Sequence, residues 1–386
     1  MKLEVGGRRY TNFLSAKLFV SIDALARRFE FEAATAGVGD IPFRPGQSTS
    51  VWIDDERVLT GWIEKIEVSA KEGAQQVTYM VSGRDRLADV VDSQVDGLGE
   101  FGSTVAHAAG AVLRFLGVDS KVIDQSTSAS RPFRTAGEIA KPEVSETAAA
   151  FLWGIASRRQ VILCSDGDAN LVIQNGEAQR VEARLVHRVD GQGNNLSGFE
   201  FASDHSKRFH TYRTVSQANV AALSWEQIGM DASSVATTKG EFVDQEIRAS
   251  RRRTIAGEST YTAGDARTRS RWEANLARAQ ALTYVATVPS WRDATGALWR
   301  VNTAPFVEDE FAGIASRMAV TGLVFEDGPS GETTTITLLP PDAYASQAAV
   351  TELERRAQAA KDAKKGLGTV SLSPAERAEL EHMELR

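Results

Sequence analysis

Apolar and polar residues alternate with a period of two in several short segments of the first 95 residues. Such alternation is typical of β-strands, whose successive side chains point to opposite faces of a sheet. Gly6 and Gly7 separate the first two segments and favour a hairpin, because glycine readily adopts the positive φ angles of a two-residue turn. Further turns are predicted at residues 21–24, 45–46, 54–55 and 71–73. Short strands at this spacing predict a small barrel or sandwich over residues 1–95.

The period changes between residues 96 and 180, where apolar residues recur every three to four positions, as on one face of a helix. One helix is expected to have Ser103 as its N-cap and to end at Gly117. A second helix is expected to begin at Ser145 and to lead into a β-hairpin over residues 161–173. We therefore expect an α/β domain over residues 96–180.

Strand-like alternation returns at about residue 181 and continues to 345, which predicts a second β domain. Its clearest strands are predicted at 285–288, 297–301, 318–325 and 334–339. An arginine-rich helical insertion interrupts it near 248–284, where Asp265 is expected to cap the helix. A narrow apolar stripe predicts a C-terminal helical extension over 346–386, which would need a partner surface because it buries little by itself. The predicted fold class is α+β, mainly β.

Composition narrows the possible functions. The 386 residues suggest two or three domains at about 150 residues each. The formal net charge of −7 argues against a domain that binds a polyanion through its overall charge. Cys164 is the only cysteine, which excludes an intrachain disulfide and fits synthesis in a reducing cytosol. The sequence shows neither a signal-peptide core nor about 18 consecutive apolar residues, so we expect no export signal and no membrane anchoring.

Residues 97–102 read Gly-Leu-Gly-Glu-Phe-Gly and match the G-x-G-x-x-G pattern of dinucleotide-binding proteins. The glycines of that pattern let the backbone approach a pyrophosphate at a helix N-terminus. Asp92 and Asp96 interrupt the strand that should precede it, and only one βα unit is evident. A glycine-rich connector is therefore favoured, and a dinucleotide-binding enzyme stays the alternative.

Four oxygen-bearing residues have the spacing of positions 1, 3, 5 and 12 of an EF-hand calcium loop. They are Asp166, Asp168, Asn170 and Glu177. The sixth position is Leu171 where the loop requires glycine, and no helix pair flanks the segment. A hairpin turn is therefore favoured over a metal site.

No catalytic residue can be assigned. Ser203, Asp204 and His205 are neighbours whose side chains diverge, so they cannot form a triad by themselves. The acidic run at 308–310 is interpreted as a solvated turn, because adjacent carboxylates cannot oppose each other as in a glycosidase. The five histidines contain no H-x-x-x-H pair that would support a helical zinc site. They are His107, His187, His205, His210 and His382.

The segment 247–271 carries a local charge of +5, because seven arginines stand against Glu258 and Asp265. The arginines are Arg248, Arg251, Arg252, Arg253, Arg267, Arg269 and Arg271. A solvated or intersubunit surface is the favoured interpretation. A loop that faces a polyanion stays open, because arginines can contact phosphates locally.

Two segments resemble a known family. Residues 81–92 read Val-Ser-Gly-Arg-Asp-Arg-Leu-Ala-Asp-Val-Val-Asp, and residues 291–302 read Trp-Arg-Asp-Ala-Thr-Gly-Ala-Leu-Trp-Arg-Val-Asn. Residues 318–325 and 335–344 continue the second segment. In this order and separation they resemble the Mu-like phage tail protein gpP family, the baseplate hub of contractile tails. That family is similar in fold to the N-terminal hub part of type VI secretion spikes.

The resemblance implies a structural protein of the virion tail baseplate and no enzyme. It implies two tube-type β-barrel domains, at 1–95 and 181–345, with the α/β domain inserted between them. Three chains would form a homotrimeric ring that adapts a six-fold tail tube to a three-fold spike. The implied partners are the central spike protein, the tail tube or distal tail protein and other baseplate proteins, with transient passage of DNA through the lumen. The alternatives are a dinucleotide-binding enzyme and a carbohydrate-binding or cell-wall-degrading tail component.

Overall fold

A computed structural model gives the fold of the chain. It describes residues 1–70, 76–95, 102–133, 142, 145–217, 237–256, 263–329, 331–341 and 344. Most of the regular structure is β, with few helices, which confirms the predicted α+β, mainly-β class. The predicted C-terminal helices over 346–386 lie outside the described residues. None of the helices in the described ranges has the length and apolar character needed to cross a membrane.

The first 95 residues form seven strands and one short helix. The strands are Lys2–Val5 (β1), Arg8–Tyr10 (β2), Ser15–Ser21 (β3), Arg28–Thr35 (β4), Ser48–Ile53 (β5), Glu56–Ser69 (β6) and Val77–Asp85 (β7). A 3-10 turn covers Val38–Asp40, and helix α1 covers Ala88–Asp92. The predicted Gly6–Gly7 hairpin is confirmed, with both glycines at positive φ. Buried residues alternate with half-buried ones along β3, so the predicted period of two is also observed there.

The α/β region packs two helices against a small sheet. Its elements are α2 (Val105–Leu116), β8 (Val122–Asp124), α3 (Ala148–Arg159), β9 (Val161–Ser165) and β10 (Leu171–Asn175). The predicted hairpin is confirmed, because β9 and β10 pair antiparallel. The apolar residues of both helices share one buried core with the β9–β10 hairpin.

The remaining described elements are ten strands and one long helix. They are β11 (Gln179–His187), β12 (Gly198–Ser203), β13 (Thr211–Gln217), β14 (Thr237–Val243), β15 (Arg252–Ala256), α4 (Ala263–Gln280), β16 (Leu282–Val288), β17 (Thr303–Asp309), β18 (Ile314–Arg317), β19 (Ala319–Gly328) and β20 (Gly331–Leu339).

One large sheet contains eleven strands in the order β12-β16-β20-β19-β3-β4-β7-β6-β5-β1-β2. Three smaller sheets have the orders β8-β10-β9, β11-β17-β18 and β14-β13-β15. No pairing between the described end strands, β12 and β2, closes the large sheet. The barrel form of the two β domains therefore stays a prediction.

The chain divides into two compact units. The first comprises residues 1–133, 139–200 and 284–338, and the second comprises 134–138, 201–283 and 339–386. In the second unit, helix α4 packs on one face of the β14-β13-β15 sheet. Gly240 permits this packing, because a Cβ there would lie 2.1 Å from the backbone nitrogen of Arg267. The domain boundaries predicted from the sequence stay predictions.

Three predicted helix starts are wrong. The N-cap of α2 is Thr104, one residue after Ser103, since its hydroxyl accepts the backbone N–H of His107 at 3.1 Å. Helix α3 is capped by Thr147, two residues after Ser145, and begins at Ala148, since the Thr147 hydroxyl accepts the backbone N–H of Ala150 at 3.1 Å. Asp265 lies inside α4, which begins at Ala263.

Residues 297–301 form no strand. The Asp293 carboxylate accepts the backbone N–H groups of Thr295 and Ala297 at 2.8 and 3.2 Å, and Gly296 has a φ of +84°. These bonds fold the segment into a turn. Leu298 and Trp299 are consecutive and both buried, whereas successive residues of a strand point to opposite faces.

Candidate assembly surfaces

The strands of the β-rich regions form two repeats with the same spatial order. The first repeat runs β3-β4-β7-β6-β5-β1. The second runs β12-β16-β20-β19 and continues through β18 and β17 to β11 in a separate three-stranded sheet. Only Met318 separates β18 from β19, so together they correspond to the long strand β6. The outermost strands differ, because β1 is antiparallel to β5 whereas β11 is parallel to β17.

The two repeats meet where β3 pairs antiparallel with β19. Six consecutive residue pairs join residues 16–21 to residues 322–327. On one face Lys17 Nζ lies 3.1 Å from Glu326 Oε1, and on the other face Leu323 is buried. This junction shows how one repeat of this chain associates with another, through backbone pairing, an apolar face and one ion pair.

The β9–β10 hairpin docks against β6. Its turn residue Gly167 approaches so closely that a Cβ there would lie 2.2 Å from the carbonyl oxygen of Arg57. The Thr60 hydroxyl donates to the Gly167 carbonyl at 3.0 Å, and the Arg57 guanidinium pairs with Asp168. These contacts hold the α/β region on the first strand repeat.

Three of the four EF-hand-like residues, Asp166, Asp168 and Asn170, lie in this turn. Asp166 Oδ1 accepts the backbone N–H groups of Asp168 and Asn170, each at 2.9 Å. Glu177 is exposed beyond the end of β10. The described part of the chain contains no group of three or more His, Cys, Asp or Glu residues that could bind a metal ion. The hairpin-turn interpretation is confirmed.

A buried pair of charged residues lies behind the same hairpin. Arg27 donates to the backbone carbonyls of Ser165 at 2.7 Å and Val58 at 2.8 Å. The Asp85 carboxylate accepts the backbone N–H groups of Arg27 at 2.8 Å and Leu87 at 3.0 Å. Burial raises the pKa of Asp85 to about 6, against the opposing effect of its hydrogen bonds and of the Arg27 charge. The sequence did not predict this pair, because Arg27 belongs to no motif and nothing in the 81–92 segment around Asp85 points to Arg27.

The acidic run at 308–310 is not a solvated turn as predicted, because Asp309 is only 1% exposed. Its carboxylate accepts the Tyr284 hydroxyl and the backbone N–H groups of Phe311 and Ala312 at 2.9 and 2.8 Å. His187 Nδ1 lies 3.3 Å away. Burial, and then the Asp309 hydrogen bond, raise the pKa of Tyr284. Asp309 therefore stabilises the turn between β17 and β18 through hydrogen bonds from a buried position.

Ser203, Asp204 and His205 form no catalytic arrangement. The Asp204 carboxylate accepts the backbone N–H and the hydroxyl of Ser206 at 2.7 and 2.8 Å, and these bonds lower its pKa. His205 Nε2 lies 3.2 Å from Nη1 of Arg208. Asp204 thus stabilises a local turn, and His205 lies beside Arg208.

The dinucleotide-type segment lies mostly outside the described residues, as does His382. Its last residue, Gly102, has a φ of +102° and precedes helix α2. A Cβ at Gly102 would lie 2.9 Å from the Cβ of His107. The glycine thus permits close packing against the first turn of the helix.

The arginine-rich segment forms strand β15 and helix α4, and several of its arginines have partners within the second unit. Arg251 and Arg253 lie over the Phe209 ring, at 5.0 and 5.9 Å from its centroid. Arg253 and Arg269 also pair with Glu273, at 3.5 and 2.6 Å. These arginines stabilise the unit to which they belong.

Arg252 lies on the opposite face of β15. Successive residues of a strand alternate between faces, and Ile255 on the α4 side is buried whereas Arg252 and Thr254 are exposed. Arg213 and Lys239 are exposed on the neighbouring strands of this face. The segment therefore divides into internally paired arginines and a basic outer face.

Comparisons with known proteins match both β regions to one family. Residues 1–85 match the N-terminal domain of Mu phage baseplate assembly protein GpP-like proteins. Residues 262–347 match the fourth domain of Mu phage baseplate assembly protein GpP. The chain is 26% identical over 305 residues to baseplate hub protein gp44 of Escherichia phage Mu, and the match covers 78% of this chain and 76% of that protein.

Two regions of the chain thus match domains of Mu-like baseplate hub proteins. The hub protein is also similar to the 43 kDa tail protein of prophage MuSo2 from Shewanella oneidensis, with a TM-score of 0.73 and 27% identity. That match covers 89% of the hub protein and 99% of the other chain. The c3393 protein of E. coli, a component of the type VI secretion system, shares the fold with a TM-score of 0.56 and 13% identity over 90% and 78% of the two chains.

These findings confirm the predicted family and the predicted role in the tail. The relatives are structural baseplate and tail proteins, so the hub protein is a structural protein of the virion tail and not an enzyme. The dinucleotide-binding and cell-wall-degrading alternatives are not supported. Baseplate hub proteins associate with other tail and baseplate components.

Proposed function

We propose that three copies of the hub protein form a closed ring in the baseplate that adapts a six-fold tail tube to a three-fold central spike. The observation that carries this proposal is the repeated strand order within one chain. Two similar β regions per chain give six similar modules in a ring of three chains. One face of such a ring can match a six-fold partner while the ring as a whole keeps three-fold symmetry.

The ring-forming modules would be the β domains at 1–95 and 181–345, with the α/β domain at 96–180 held on the first module by the β9–β10 hairpin. The central spike protein would bind on one side of the ring, and the tail tube or distal tail protein on the other. Synthesis and assembly would take place in the host cytoplasm, and DNA would pass through the lumen only transiently.

The mass of the assembled protein tests this proposal. Light scattering behind size-exclusion chromatography should give about 125 kDa, three times the chain mass of 41.8 kDa. Electron microscopy of tails should show three copies of the chain around the axis. A chain that is monomeric in solution and also in isolated tails would contradict the ring.

A further inference from the structure

We infer that strand β12 of one copy pairs antiparallel with the second half of β6 in the neighbouring copy, residues 64–69. The pairing would continue the large sheet from chain to chain. This inference rests on the proposed ring and specifies which strand edges close it.

The strand order within the chain supplies the first argument. The first repeat joins the second by pairing β3 with β19. The strand equivalent to β3 in the second repeat is β12, and the strand equivalent to β18–β19 in the first repeat is β6. If a second repeat pairs with a first repeat through the same association, β12 pairs with β6. That first repeat must belong to another copy of the chain.

Both predicted partners have a free edge of the required length. Among the described strands, β12 has β16 on one side and no strand on the other. The β6 strand pairs with β5 only as far as Trp62, and Ile63 still bonds to the backbone of Gln47. Residues 65–69 pair with β7 on one side only, and Glu64 lies at a register shift between β6 and β7. Each free edge spans six residues, which equals the six residue pairs of the β3–β19 junction.

The exposure of apolar side chains differs between the covered and the free edges as this pairing requires. Leu18 of β3 and Phe325 of β19 are almost fully buried. Phe201 of β12 is 43% exposed and Val68 of β6 is 40% exposed. Phe201 shares a strand face with Phe199, whose ring stacks on the buried Tyr284 with centroids 5.9 Å apart. Phe201 and Val68 thus extend buried apolar faces to strand edges that the single chain does not cover.

Disulfide trapping in the full-length chain tests the pairing. Cys164→Ala provides a background without cysteine, since Cys164 is the only one. In that background, Phe201→Cys combined with Val68→Cys should give covalent dimers and closed covalent trimers on mild oxidation. Phe201→Cys combined with Ile66→Cys tests the neighbouring register, in which Phe201 lies opposite Ile66, the adjacent residue on the same face of β6. Each single variant carries only half of the cross-link and should give none.

A matched control uses Val189, which is 70% exposed and lies outside both edges. Val68→Cys combined with Val189→Cys should give no cross-link.

The outcomes separate this inference from the proposed ring. Trimers that form without a cross-link at either pair of positions would overturn the β12–β6 pairing and leave the ring intact. A chain that stays monomeric at every concentration and in isolated tails would overturn both. Covalent trimers cross-linked at either pair of positions, with none in the Val189 control, would establish the pairing.

Discussion

The covered junction between β3 and β19 and the free edges of β12 and β6 carry similar residues in different surroundings. Both have apolar side chains on one face and a charged residue on the other. In the covered junction the apolar residues are buried, whereas Phe201 and Val68 on the free edges are about two-fifths exposed. Similar strands can therefore stabilise the single chain in one place and bind another copy of the chain in another.

The largest effect should come from the covered junction. Leu323→Ala would remove a buried side chain from the β3–β19 interface and leave a cavity, at a cost of about 2–5 kcal/mol in the free energy of unfolding. Urea denaturation of the dilute protein measures this loss. The matched variant on a free edge is Phe201→Ala, which should cost less than about 1 kcal/mol and reduce trimer formation instead. Equal losses of stability would show that the two edges do not differ as described.

The turn between β17 and β18 gives the next comparison, with the equivalent turn between β5 and β6. Asp309→Ala would leave the Tyr284 hydroxyl and two backbone N–H groups buried without their acceptor. We expect a loss of about 2–4 kcal/mol. Asp54 in the equivalent turn is exposed and pairs with Arg292 at 2.9 Å, so Asp54→Ala should cost less than about 1 kcal/mol. Thermal unfolding of both variants checks this difference, and a larger loss for Asp54→Ala would contradict it.

The first repeat also buries a carboxylate, that of Asp85, and it should make stability depend on pH. The pKa of Asp85 is about 6 in the folded chain, above its ordinary value of 3.8, so the folded state binds the proton more tightly than the unfolded state. Stability from this group is therefore present at low pH and is lost as the pH rises from about 4 to 6, by on the order of 2–3 kcal/mol at most. Asp85→Asn should flatten this part of the pH profile in urea denaturation. An unchanged slope between pH 4 and 6 would refute the assignment to Asp85.

The sequence predicted the strands of the first repeat because their signals are local. Alternation of apolar residues and the turn at Gly6–Gly7 act over a few residues, and the structure confirms both. The β3–β19 junction could not be predicted in this way, because it joins residues that are about 300 positions apart in the chain. The two segments that resemble the hub family gave the correct family without showing this pairing.

Charged residues were the least predictable part of the candidate surfaces. The acidic run at 308–310 has the composition of an exposed turn, and nothing near it in the sequence indicates that Tyr284 would donate to Asp309. The arginines at 248–271 likewise appear as one cluster in the sequence. The alternation of β15 and the position of α4 divide them, and this division depends on contacts with Phe209 and Glu273.

That division gives the prediction with the smallest effect on stability. Arg252 and Arg253 are adjacent and both exposed, but Arg253 pairs with Glu273 whereas Arg252 is on the outer basic face. Arg253→Ser should lower the free energy of unfolding by about 0.5–1 kcal/mol, and Arg252→Ser by less than about 0.5 kcal/mol. If the outer face contacts another subunit or faces the lumen, Arg252→Ser should reduce particle infectivity more than Arg253→Ser does. Infectivity that is unchanged in Arg252→Ser, and also when Arg251, Arg252 and Arg253 are all replaced by serine, would place this segment away from both.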